Sequence, residues 1–191
     1  MTDDTTSADF FNAKYRQKTD PWDFSNSVYE QFRYDSITQL LEGHNYKQAF
    51  EPGCSIGVLT KRLSFYCQDV EATDISEVAI DAARVRCNEL DNVLLYQASL
   101  KETLPRKSPD LLILSEIGYY FQPDEWAEKV GQLIALCQPS ATIVACHWLG
   151  ASKDHLMSGD EVHSAIENQE ALALTAQIRH ENFRLDKWEI N

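Results

Sequence analysis

The sequence predicts an α/β protein on a mostly parallel, seven-stranded sheet, with helices on both faces and a closing C-terminal antiparallel hairpin. Three observations carry that expectation. After Gly43, short apolar runs alternate with helical patterns, an order that needs crossover helices and hence a parallel sheet. A strand-like run ending in Glu51 passes through a glycine-bearing turn directly into a helix, the position where doubly wound sheets bind ligands. The tail carries two strand-like runs joined by His180-Glu181-Asn182, the pattern of a hairpin.

Taken in order, residues 1–9 are polar and charged, which predicts disorder. From Phe10 to Leu41 the chain is rich in aromatics, with Phe10, Phe11, Tyr15, Trp22, Phe24, Tyr29, Phe32 and Tyr34. Asp20-Pro21-Trp22-Asp23 marks a turn, because proline disfavours the helical region for the residue before it. Val28–Leu41 lacks glycine and proline and repeats Tyr34, Ile37 and Leu41 at helical spacing, so it reads as a helix ended by Gly43. Strands are expected at Gln48–Glu51, Asp69–Thr73, Val93–Tyr96, Asp110–Leu114 and Ala141–His147, with helices at Gly57–Tyr66, Glu77–Leu90 and Pro123–Cys137. Ser76 suits the N-cap of the second of these helices. In the third, Pro123, Asp124 and Glu125 suit the first turn, while Trp126, Val130, Leu133 and Ile134 share a face. Residues 160–171 read as helix, and Leu172–Ile178 and Phe183–Ile190 as the hairpin strands.

A chain of 191 residues buries enough surface for one substantial core. One domain is expected overall, with residues 1–45 forming an N-terminal helical segment and residues 46–191 the core. The 17 Lys+Arg against 30 Asp+Glu leave a net charge of −13, which argues against a nucleic-acid partner. It suits a neutral or cationic small molecule better than an anionic one. The five cysteines are scattered, neither a disulfide framework nor a zinc pattern, and they suit a reducing, cytoplasmic compartment. The acidic N-terminus is unlike a secretory signal, and no apolar run is long enough to span a membrane. The oligomeric state is left open.

The run Glu51-Pro52-Gly53-Cys54-Ser55-Ile56-Gly57-Val58 is the most informative stretch. The dinucleotide pattern GxGxxG needs glycines at 53, 55 and 58 and finds only Gly53; a P-loop would need Gly-Lys-Ser/Thr, which is absent. The pattern [DE]xGxGxG finds Glu51, Gly53 and Gly57, with Ser55 in the remaining place. A strand-end acid suits a cationic ligand and repels a pyrophosphate. Asp74 ends the second strand, where an acid can accept both hydroxyls of a ribose. Loop and acid together indicate a nucleoside-containing ligand. The plainer readings are a tight turn that needs glycine for its geometry and a helix-start acid with no ligand.

At this point the chain resembles the class I, Rossmann-like S-adenosylmethionine-dependent methyltransferases. More narrowly it resembles the NodS-like family, named for a nodulation methyltransferase that N-methylates a chitooligosaccharide. The residues behind the resemblance are Phe10-Phe11-Asn12-Ala13-Lys14-Tyr15, Asp20 to Phe24, Tyr29-Glu30 with Arg33-Tyr34, and Glu51 to Thr60. Asp74-Ile75-Ser76, Leu114-Ser115-Glu116 with Tyr119-Tyr120, and His147-Trp148 complete it. The sequence departs from the class at Ser55, at Ser99 where an acid often meets the adenine amine, and at Pro139-Ser140-Ala141 in place of Pro-Gly-Gly. The resemblance implies that Glu51 lies near the methionyl amine, Gly53 under the cofactor, Asp74 on the ribose and Ile75 on the adenine. It further implies Ser115 at the methionyl part, Ser99 near the adenine, and a lid holding Trp22 and Arg33, with Arg33 on the cofactor carboxylate.

The acceptor implied is an amine, such as an amino sugar or oligosaccharide, which must be neutral when it attacks. Glu116, Tyr119, Tyr120 and His147, at carboxyl ends of predicted strands, are the candidates for handling its proton, Glu116 and His147 ahead of the tyrosines. Packing is the plainer reading of the tyrosines, and a core hydrogen bond that of His147. His147, His155 and His163 recur at even spacing with Asp154 and Asp160 between them, but without the helical spacing of a metal motif, so no metal is expected. Residues 149–163 are expected to form a loop over the acceptor. Two other readings are a binding module that holds S-adenosylmethionine without catalysis and, disfavoured by Glu51 and Val58, a nicotinamide-dependent oxidoreductase.

Overall fold

The computed structural model describes residues 6–191, so the first part of the expected disordered segment, residues 1–5, lies outside the described residues. The rest of that expectation is corrected: Ala8–Gln17 is a helix, α1. Ser7 caps it by accepting the Phe10 N–H at 3.3 Å, and Phe11 and Tyr15, one turn apart, bury its inner face.

The chain divides into two compact units, Met1–Thr103 and Leu104–Asn191. The first holds α1, α2 (Val28–Gln39), β1 (Tyr46–Pro52), α3 (Val58–Leu63), β2 (Cys67–Asp74), α4 (Glu77–Arg86) and β3 (Val93–Gln97). Its strands lie side by side as β3-β2-β1, all parallel, with Glu51 level with Ala72 and Asp74 level with Gln97. Ala49, Phe50, Val70 and Ala72 supply the sheet's share of the core, and Leu59, Leu63, Ile80 and Ala83 supply the helices' share. Ser76 caps α4, as its sequence position predicts, by accepting the Ala79 N–H at 3.2 Å.

The second unit holds β4 (Leu111–Ser115), a short 3-10 turn at Gly118–Tyr120, α5 (Pro123–Leu136), β5 (Thr142–Trp148), α6 (Gly159–Glu167), β6 (Leu172–Arg179) and β7 (Phe183–Ile190). β4 and β5 are parallel, β7 runs antiparallel to β5, and β6 pairs antiparallel with β7 to close the hairpin. The seven strands follow the order β3-β2-β1-β4-β5-β7-β6. Every residue of β4 is buried, as expected of a strand covered on both faces, whereas the edge strand β6 is partly or fully exposed along its length. The expected loop over 149–163 ends early, because α6 begins at Gly159. There Ser158 accepts the Glu161 N–H at 3.3 Å and the Glu161 carboxylate accepts the Ser158 N–H at 2.7 Å, a reciprocal cap that starts the helix. Among the described residues no helix is long and apolar enough to cross a membrane.

Candidate active site

In the first unit the carboxyl ends of β1 and β2 carry the two acids singled out by the sequence. Glu51 is buried and its carboxylate accepts the Thr60 hydroxyl at 2.6 Å, a partner from α3 that the sequence reading missed. Burial pushes its pKa up to about 7; the Thr60 hydrogen bond opposes the shift and the negative charge of Asp74 adds to it. Asp74 is also buried and is raised by burial to about 6, against two backbone donors that favour the charged form. Those donors are Ser76 N–H, 2.8 Å from Oδ1, and Ser55 N–H, 2.9 Å from Oδ2. Two desolvated carboxylates, one of which raises the pKa of the other, fit a ligand bringing a cation to one and hydroxyl donors to the other.

The loop between them is wound left-handed at three places, with φ +74° at Gly53, +52° at Ser55 and +77° at Gly57. Ser55 therefore keeps a conformation that glycine adopts without strain, and its backbone N–H is thereby turned onto Asp74. Gly57 answers a second need: a Cβ there would lie 3.0 Å from the Cβ of Ala83, so α4 could not approach the start of α3 so closely. The Cys54 N–H donates to the Thr73 carbonyl at 2.8 Å and ties the loop to β2.

The N-terminal segment is fastened to this loop through residues the sequence reading did not single out for a role. The Tyr15 hydroxyl meets the Ser55 hydroxyl at 2.6 Å, and the Ser76 hydroxyl donates to Asn12 Oδ1 at 2.7 Å. Trp22 packs edge-on against Tyr15 and stacks on Phe24, each at 5.6 Å between ring centres. Arg33 is buried in α2, with its Nε and one terminal nitrogen on Glu30 Oε2 at 2.9 and 2.6 Å. Half-buried Ile75 accepts the Gln97 side-chain amide on its carbonyl at 3.0 Å. Ser99 follows β3 and caps a turn, its hydroxyl accepting the Lys101 N–H at 3.3 Å. A helical period joining Phe11 to Tyr15, behind a capping serine, is the signal that could have found α1 and its contacts.

In the second unit, Ser115 ends β4 and Glu116 follows with φ +56°. The Glu116 carboxylate accepts the Trp148 N–H at 2.8 Å on one oxygen and the Tyr119 hydroxyl on the other, so it links the ends of β4 and β5. Tyr119 stacks on His155 at 3.9 Å, and Tyr120 meets both rings edge-on. Of the four side chains that the sequence offers for handling a proton, Glu116, Tyr119 and Tyr120 lie in this group. His147 is corrected. It is fully buried, its Nε2 takes the Gly118 N–H at 3.2 Å, and its Nδ1 lies 3.1 Å from His163 Nε2. With both ring nitrogens engaged in the interior, it is not placed to take a proton from an acceptor. Asp160, within the segment expected over the acceptor, is paired with the Arg179 guanidinium at 2.6 and 2.8 Å.

Residues 7–172 match the model of the family described as Nodulation protein S (NodS). Nodulation protein S of Azorhizobium caulinodans is 36% identical over 107 residues, 56% of this chain and 51% of that protein. Nodulation protein S of Rhizobium tropici is 26% identical over 137 residues, 71% of this chain and 56% of that protein. The chain thus spans about half of the length of these curated relatives. Among solved structures, N-methyltransferase NodS from Bradyrhizobium japonicum WM9, in complex with S-adenosyl-L-homocysteine, superposes with a TM-score of 0.85 at 18% identity, covering 98% of this chain and 99% of that one. A putative methyltransferase from Pseudomonas syringae gives a TM-score of 0.76 at 24% identity, covering 85% of this chain and 99% of that one. These likenesses establish the fold, a seven-stranded mixed sheet of the methyltransferase type with its C-terminal antiparallel hairpin.

Proposed function

The chain belongs to the Nodulation protein S family, and on that premise we propose that it is an S-adenosylmethionine-dependent N-methyltransferase acting on the amine of a small amino sugar or oligosaccharide. The observation that carries this reading is the left-handed loop at Gly53–Gly57, pinned by its Ser55 N–H to the buried Asp74 and preceded by the buried Glu51. Asp74, held by two backbone donors, keeps lone pairs for both ribose hydroxyls; Glu51 takes the methionyl ammonium, whose charge offsets the cost of burying the acid. Gly53 and Ser55 lie under the cofactor, Gly57 lets the loop pack, and Ile75 and Ser99 border the adenine. Ser115 faces the methionyl part. The helical segment from Ala8 to residue 45 covers the site, Trp22 excluding water and Arg33, aimed by Glu30, pairing with the carboxylate.

When bound, S-adenosylmethionine supplies an electrophilic methyl on a sulfonium that leaves without help from the protein. The chain's own work is to align a neutral amine and exclude water, and alignment alone is worth about 7–11 kcal/mol. Glu116 binds the incoming ammonium and accepts its proton. Tyr119 donates to Glu116 and fixes its carboxylate, and half-buried Tyr120 beside it offers a ring to a sugar. The thiols and the acidic surface suit work in the cytoplasm on a cationic or neutral acceptor.

The test is calorimetric titration with S-adenosylhomocysteine, followed by methyl transfer to a glucosamine tetramer read by mass. Asp74→Ala should weaken binding of the cofactor product by about 1.5–3 kcal/mol. Absence of binding by the wild type would sink the methyltransferase reading.

A further inference from the structure

Three buried side chains of the second unit form a hydrogen-bonded line whose direction is dictated by one end. The Gly118 N–H donates to His147 Nε2 at 3.2 Å. A backbone amide nitrogen can only donate, so His147 Nε2 carries a lone pair and no proton. The neutral imidazole then holds its proton on Nδ1, which donates across 3.1 Å to His163 Nε2. By the same step His163 is protonated on Nδ1 and donates to Asp186 Oδ2 at 2.7 Å. That oxygen also accepts Arg184 Nε at 2.6 Å. Protonating His147 would set N–H against N–H at Gly118, and protonating His163 would do so at His147. Burial lowers the His163 pKa despite the hydrogen bond to Asp186. Burial pushes Asp186 up, but His163 and Arg184 outweigh it and hold the carboxyl low.

The near end of this line is the turn that carries Glu116 and Tyr119. At Gly118 the Val162 methyls and the Trp126 ring leave no room for a Cβ, and the Leu156 N–H closes on the Tyr119 carbonyl at 2.7 Å. We infer that His163 and Asp186 are positioning residues: they hold His147 in the one tautomer that accepts from Gly118, and so fix the turn from Glu116 to Tyr120. The consequence for turnover rests on the reading that Glu116 and Tyr119 serve the acceptor; the tautomer line does not.

Two measurements test it. Two-bond proton–nitrogen spectra of the histidine-labelled protein should show His147 and His163 both protonated on Nδ1. Amide exchange at Gly118 is then compared in wild type, His163→Phe and His163→Gln. A glutamine oxygen stands close to the place of Nε2 and still accepts from His147, whereas phenylalanine cannot. Exchange should be about tenfold faster in His163→Phe and near wild type in His163→Gln. kcat on the glucosamine tetramer should fall about ten- to hundredfold in the same order, with cofactor affinity unchanged. A proton on His147 Nε2, equal Gly118 protection in all three proteins, or equal damage by Phe and Gln in folded variants would overturn the inference. The expected tautomers and exchange order in a wild type without turnover would support the line and count against the acceptor reading instead.

Discussion

With Glu51 on the methionyl ammonium, as proposed, cofactor affinity should depend on pH in a way that one substitution can isolate. Burial raises the Glu51 pKa to about 7, while a bound methionyl ammonium favours the charged form and pulls the pKa down. Binding therefore ionises the acid and releases its proton, roughly half a proton at about pH 7. Lowering the pH from about 7.5 to about 5.5 adds a cost of about 2 kcal/mol for that ionisation, roughly a 25-fold loss of affinity. Glu51→Gln keeps a partner for the Thr60 hydroxyl and carries no such linkage. Asp74, raised to about 6, weakens both proteins alike on acidification, so the ratio of their affinities cancels it. Calorimetric titration with S-adenosylhomocysteine should find wild type about tenfold or more tighter than the variant near pH 7.5, with the two converging near pH 5.5. Repeating the titration near pH 7.5, where Asp74 is already ionised, in buffers of different ionisation enthalpy should show more proton release by wild type than by the variant. A ratio constant across the range, or no proton release by wild type, would refute the placing of Glu51 on the ammonium.

Two further outcomes follow from the loops. Gly57→Ala adds a Cβ at 3.0 Å from that of Ala83 on a residue with φ +77°, so it should destabilise the fold by about 2–4 kcal/mol and lower the melting temperature by roughly 5–15 °C. Scanning calorimetry checks it, and an unchanged transition would mean that the α3–α4 approach is looser than described. Glu116→Gln keeps a group able to bond Tyr119 and Trp148 but loses the base, so kcat should drop about 10²–10⁴-fold while S-adenosylhomocysteine affinity holds. Initial rates against acceptor concentration decide it, and full turnover in the variant would remove Glu116 from the chemistry.

What could be read from the sequence tracks how local each feature is. The loop from Glu51 to Gly57 was legible because strand end, turn and helix start are contiguous, and each backbone demand falls on a residue in view. The two serines that stand where the resemblance expects glycine show this from the other side: Ser55 at φ +52° and Ser140 at φ +60° keep the left-handed turn, so the conformation survived the change of residue. The helix α1 was lost because its ten residues follow an acidic stretch, and only Phe11 and Tyr15 mark its buried face. Its anchors are remote as well, Tyr15 reaching Ser55 and Asn12 reaching Ser76. Nothing in the order of residues joins those pairs.

His147 shows why strand-end placement alone misassigns a side chain. Side chains of neighbouring residues in a strand point to opposite faces, so Cys146, His147 and Trp148 cannot all face one site. Which face stays open is decided by what packs there, and α6 lies against β5, bringing His163 to the His147 ring. Asp186, from β7, then closes the far side of His163. A histidine on an uncovered face at that strand end could exchange protons with an acceptor. On the covered face it exchanges hydrogen bonds with the interior, and it meets the turn after β4 through the Gly118 N–H that it accepts and edge-on against the Tyr119 ring at 5.2 Å. Glu116 follows β4 with a left-handed backbone and is only half-buried, its carboxylate spanning Tyr119 and the Trp148 N–H. The acid and the histidine, alike in the sequence as polar residues at the ends of neighbouring strands, thus meet different surroundings, because one stands in a left-handed turn and the other lies under a helix.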